Sequence, residues 1–105
     1  MFYIEGLLRT KQAEPALKLL TQCEHLHPLN PTIFQMYARA YSMTKNTIAL
    51  HRSQAEWHYL KGEFKEAYKQ LEIGLEYAER DPKIAKQIHS RKEAMAKVEQ
   101  FQRKL

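Results

Sequence analysis

Cys23, His25 and His27 are the residues whose types come closest to metal chemistry. A thiolate and two imidazoles are good zinc ligands. Their spacing works against that use, because side chains two residues apart on a helix point in different directions. Histidines near a helix C-terminus also suit the negative end of the helix dipole with no metal present. His51 and His58 share one face of a second helical stretch, with Glu56 close by. That group suits a proton-sensitive or metal-binding pair, or two side chains that pack and hydrogen-bond between helices. Catalytic patterns are missing. No His precedes a Glu, so there is no His-Glu-x-x-His zinc helix, and there is no Gly-x-Ser-x-Gly element. Gly6, Gly62 and Gly74 are too far apart for a phosphate loop, and the lone Cys23 allows neither a cysteine pair for zinc nor an internal disulfide. This segment is therefore expected to carry no catalytic, cofactor or metal residue of its own.

The elements that would position these side chains are helical. Ala16 and Leu50 stand 34 positions apart within helical patterns, and Ala67 follows at half that spacing. A period near ~34 residues built from helical hairpins is the signature of tetratricopeptide repeats. Six helices are expected. Phe2, Tyr3, Leu7 and Leu8 fall near helical spacing in the first, and Lys11 and Gln12 make the turn. Ala13, Ala16, Leu17, Leu20 and Cys23 line the second, which ends by His27-Pro28. Asn30 caps and Pro31 opens the third, with Phe34, Tyr37, Ala38 and Tyr41 on its face. Lys45-Asn46 closes it, with Asn taking the left-handed conformation. The fourth runs from about Thr47 to Leu60 and stops at Gly62. The fifth carries Phe64, Ala67, Tyr68, Leu71, Gly74, Leu75 and Ala78. Asp81-Pro82 starts the sixth, with Ile84, Ile88, Met95 and Val98 inward. Small Ala16, Ala38, Ala55 and Ala67 fall where paired helices should touch. Helix four fits as the second helix of one hairpin and as the first of the next, so the pairing register stays open.

Composition agrees with a single all-α domain over residues 1–105, a tetratricopeptide-like helical-hairpin solenoid. Hydrophobic residues make up 44% and charged ones 28%, with only 3 glycines and 4 prolines to break helices. Net charge is +5, yet residues 1–81 balance at 10 basic and 10 acidic groups. The excess lies in residues 82–105, where Lys83, Lys86, Arg91, Lys92, Lys97, Arg103 and Lys104 face Glu93 and Glu99. That segment suits a basic capping helix with a solvated outer face, or a contact with nucleic acid, an anionic surface or an acidic protein. The balance over residues 1–81 speaks against nucleic acid. No apolar run is long enough to span a membrane, and the start lacks the basic-then-apolar form of a secretory signal. Met1 fits a native start or an internal residue of a longer protein.

If helices one and three line the concave side, the partner-binding groove consists of Glu5, Arg9, Gln35, Arg39 and Ser42, whose charges and amide suit peptide capture. Trp57, Tyr59, Tyr68 and Tyr77 are candidate anchoring aromatics, with Tyr68 assigned to the core.

The stretch ALHRSQAEWHYLKGEFKEAYKQLEIGLEYA resembles the C-terminal repeat region of bacterial periplasmic zinc metalloproteases of the BepA type. The matching residues are His51, Ala55, Glu56, Trp57, Gly62, Ala67, Gln70 and Leu71. Leu50 stands where the family often has Ala, and His58 where a second aromatic is usual. YIEGLL and HPLNP look like the family's preceding repeat, and IAKQIHSRKEAMAKVE like its closing basic helix, so the resemblance covers about Tyr3 to Val98. It implies a non-catalytic, periplasmic protein-interaction domain that presents clients or docks to the outer-membrane assembly machinery. Zinc would belong to a catalytic domain upstream. Two other readings stand beside it: a stand-alone repeat adapter or chaperone-like protein in the cytoplasm, and nucleic-acid binding through helix six.

Overall fold

A computed structural model describes residues 2–105; Met1, the candidate start, and the side chain of Phe2, an apolar-face position, lie outside the description. The described residues are all-α and contain no strand. The helices are α1 (Phe2–Arg9), α2 (Ala13–Leu26), α3 (Pro31–Met43), α4 (Thr47–Leu60), α5 (Phe64–Tyr77) and α6 (Pro82–Arg103). Each packs mainly on its neighbours in the chain, and short turns reverse the direction between them. The result is a slab of 43 × 36 × 19 Å. None of the described helices is long and apolar enough to cross a membrane.

Three of the five turns are the same structure. Lys11, Lys45 and Gly62 adopt φ of 60°, 58° and 78°. In each, the next residue's N–H reaches back five positions: Gln12 to the Leu7 carbonyl at 2.8 Å, Asn46 to Tyr41 at 3.0 Å and Glu63 to His58 at 2.9 Å. A second bond runs from the left-handed residue itself, to Leu8, Ser42 and Tyr59. This is a Schellman arrangement, which satisfies helix-end carbonyls that would otherwise lack donors. It corrects one expectation. Lys45, not Asn46, takes the left-handed conformation. Asn46 instead caps α4, its side chain accepting the Ala49 N–H at 3.1 Å. Asn30 and Asp81 cap α3 and α6 as the sequence indicates, accepting from the Thr32 and Ile84 N–H groups, each with proline at the next position.

The cores divide the chain in two. One contains Ile4, Leu7, Leu8, Ala16, Leu20, Ile33, Met36 and Tyr37, from α1 to α3. The other contains Ala55, Ala67, Leu71, Ala78, Ile88 and Met95, from α4 onward. The halves correspond at a spacing of 51 positions. Lys11 matches Gly62 at the tight turn, and Asn30-Pro31 matches Asp81-Pro82 at the capped helix start. Ala16 and Leu20 match Ala67 and Leu71, all fully buried. The fourth helix is thus the counterpart of the first. It also follows α3 through the same kind of turn, and these two relations account for its ambiguous register. Ala38 and Ser53 are buried but belong to neither core. They lie at the seam between α3 and α4, the joint of the two halves.

The left-handed turns give a test with opposite signs. Lys45→Gly should raise unfolding stability by about 0.5–1 kcal/mol, because glycine adopts positive φ without the Cβ penalty. Gly62→Ala should lower it by about 1 kcal/mol, although an added Cβ meets nothing within 4 Å. Urea denaturation of both variants beside the parent checks the pair.

Candidate functional site

A cavity of about 640 Å³ opens at the α3–α4 seam. The first half contributes Glu24, Phe34, Tyr37 and Tyr41, and the second contributes Ile48, Ala49, Arg52, Ser53, Glu56, Ile84 and Arg91. The shape follows from side-chain size. Aromatics spaced three and four residues apart on α3 face small residues one turn apart on α4, and the volume between them stays unfilled. Phe34 and Tyr37 lie with ring centres 5.8 Å apart, tilted by 36°, and Tyr37 and Tyr41 stack at 5.9 Å and 9°. These are favourable offset geometries for aromatic pairs.

The polar groups around this wall are held to different degrees. The Tyr37 hydroxyl donates to Glu24 Oε1 at 2.8 Å and lies 3.3 Å from Thr21 Oγ1. Burial, with the Glu24 bond adding to it, pushes the Tyr37 hydroxyl up to about 12. Burial also raises Tyr41, helped by the negative charge of Glu24 and opposed by Arg52. Arg91 grips Glu56 with two bonds, Nε to Oε2 and Nη2 to Oε1, both 2.7 Å. That bidentate contact raises the Arg91 guanidinium further and ties α6 to α4. Arg52 is different. Its one side-chain partner is the neutral amide of Gln87, at 3.3 Å, and among the described residues it joins no ion pair.

The residues expected to form a groove are distributed otherwise. Glu5 and Arg39 bind each other, with Arg39 Nη1 2.9 and 3.0 Å from the two carboxylate oxygens. Arg9, Gln35 and Ser42 are exposed. None of the five lines the large cavity; Gln35 borders a recess of about 210 Å³ on the other flank of the seam, with Phe34, Ala38, Gln54, Trp57, His58 and Gln70. Trp57 is partly buried there, edge-on to His58 and covered by Lys61 Nζ at 3.8 Å. Tyr59 packs on Phe64, and Tyr68 donates to Glu99 Oε1 at 2.8 Å. Burial and that bond push Tyr68 up to about 12. Tyr77 is 60% exposed and stacks on His51.

The histidines do not meet one another. His51 Nδ1 lies 2.7 Å from Gln70 Oε1, joining α4 to α5, and His58 Nδ1 lies 2.7 Å from Glu63 Oε1 across the tight turn. The His58 contact holds the Glu63 carboxyl below its usual range. Among the described residues no three His, Cys, Asp or Glu side chains converge as a metal set. On α6, Arg91, Lys92 and Arg103 are engaged by Glu56, Glu72 and Glu99, so fewer of its cations are free for a polyanion than the sequence implies. No protein-family model, curated protein or solved structure matches the chain.

Nothing in the sequence alone groups Arg52, Glu56 and Arg91 as one site. The readable signal is the spacing of complementary polar groups two helices apart: Glu5 to Arg39 at 34, Glu56 to Arg91 and Arg52 to Gln87 at 35.

Two outcomes follow. Tyr37 and Tyr68 ionise near pH 10 in the unfolded chain and near 12 in the folded one. Their contribution is complete below the unfolded value and is lost as pH rises through the folded one. Urea midpoints should therefore fall more steeply between about pH 10 and 12 for the parent than for a Tyr37→Phe, Tyr68→Phe double variant. Separately, Glu56→Ala should cost about 2 kcal/mol by leaving a half-buried guanidinium unpaired. Glu5→Ala, at an exposed pair, should cost less than about 1 kcal/mol in the same urea assay.

Proposed function

We propose that this chain is a protein-binding helical domain that receives a segment of a partner polypeptide in the cavity at the α3–α4 seam. The observation that carries this reading is the juxtaposition of the Phe34–Tyr37–Tyr41 wall with the unpaired guanidinium of Arg52. Aromatic and arginine side chains at partly buried positions are the residue types that dominate protein–protein binding energy. The cavity is open enough to admit side chains, and its walls come from two separate cores, so occupation would join the halves.

A finer reading rests on the resemblance alone. In it, the domain is the recognition arm of a larger periplasmic zinc metalloprotease engaged in outer-membrane quality control, presenting clients or docking to assembly components. Catalysis and zinc belong to the upstream domain. Tethering a client beside that site raises its effective concentration without new chemistry here. The alternative is a stand-alone adapter or chaperone-like protein in the cytoplasm. Nucleic-acid binding through α6 is the weaker competitor, given the balanced charge of residues 1–81 and the pairing of three α6 cations.

The test is to recover the native polypeptide from cells with an antibody to residues 82–105, then determine its mass, N-terminal sequence and co-purifying proteins. A chain well above 12.5 kDa with His-Glu-x-x-His upstream and outer-membrane assembly proteins attached is the expected result of the protease reading. A chain beginning at Met1 with other bound proteins would leave the adapter. Recovery of nucleic acid with no protein partner would defeat both.

A further inference from the structure

Building on the reading of the cavity as a peptide site, we infer that the bound segment carries an acidic side chain for Arg52, a basic side chain for Glu24, and a large apolar side chain between them for the Phe34–Tyr37–Tyr41 wall. The charges at the site decide this. Four ionic groups line the cavity: Glu24, Arg52, Glu56 and Arg91. Glu56 and Arg91 satisfy each other through two 2.7 Å bonds and have little left to offer. Glu24 and Arg52 are the remainder. The carboxylate holds only a neutral phenol, and the guanidinium only a neutral amide. They do not pair with each other, and Tyr41 feels the charge of both, Glu24 raising it and Arg52 lowering it.

Because α3 packs against both α2 and α4, the carboxylate on α2 and the guanidinium on α4 flank the aromatic residues of α3, and among the described residues neither has a counter-ion. A purely acidic ligand would meet Glu24, and a purely basic one would meet Arg52. A segment carrying both signs in the matching order meets neither penalty, and burying each charge against a partner is what gives such sites their selectivity. The apolar side chain between the charges covers the aromatic wall and excludes water from both pairs.

The probe is a displayed library of random linear dodecapeptides, selected on the full chain. Enriched peptides are then synthesised and titrated against the parent, Arg52→Gln and Glu24→Gln, with Arg80→Gln as a control at an exposed position outside the cavity. Glutamine keeps each position polar and able to bond Gln87 or Tyr37. The expected winners place an acid and a base on either side of an aromatic or branched aliphatic residue. Arg52→Gln should weaken them roughly tenfold or more, and the loss should vanish when the peptide's own acid is replaced by its amide. Glu24→Gln should do the same for the base, and Arg80→Gln should change nothing. Winners that bind Arg52→Gln and Glu24→Gln as tightly as the parent would overturn this inference while leaving a protein-binding domain with its site elsewhere. Enrichment of no peptide at all would overturn the peptide-site reading and this inference together.

Discussion

The contact between α3 and α4 is the joint on which the rest of the molecule depends. Two three-helix cores meet there, and small side chains at Ala38 and Ser53 let the helices bury their facing surfaces. The Ser53 hydroxyl is satisfied by the Ala49 carbonyl at 2.8 Å, so burying it leaves no unpaired polar atom. The tight turn at Lys45 fixes how α4 leaves α3, and it does so with a residue other than glycine in the left-handed region. The two cores thus meet at one orientation, set by backbone hydrogen bonds and by side-chain size together.

The same joint produces the cavity. Close approach at Ala38 and Ser53 coexists with large rings at Phe34, Tyr37 and Tyr41 and with small Ala49 on α4. Helices that touch closely at one place and carry mismatched side chains beside it leave an opening. Ion pairs then brace each half separately. Glu5–Arg39 joins α1 to α3, and Glu56–Arg91 joins α4 to α6. Neither crosses the seam. Partner binding in the cavity would add polar contacts across a seam that no ion pair spans among the described residues, and this gives the proposed function a physical rationale.

Much of this was legible in the sequence because its signals are local. Helix ends at Gly62, Asn30-Pro31 and Asp81-Pro82 follow from backbone chemistry within a few residues. The apolar stripe of α5 is visible from its periodicity alone. Asn is the commoner non-glycine residue in the left-handed region, yet Lys45 takes that conformation because Asn46 caps the next helix. The site was less legible for a different reason. Tyr37 and Tyr41 look like packing residues from their spacing, and only the placement of α2, α4 and α6 around them shows an open volume. Arg52 looks like any surface cation until its lack of a carboxylate partner is seen in three dimensions. Glu5 and Arg39 look like free groove residues until they are found bound to each other.

The account centres on the α3–α4 seam as the surface where a partner is received. Hydrogen exchange measured by mass spectrometry on the full chain, with and without a saturating bound peptide, tests that directly. The account predicts slower exchange in residues 34–41 of α3 and 48–56 of α4, with α1 and the solvent face of α5 unchanged. Protection gathered in α1 and α5, or no change along α3 and α4, would contradict it.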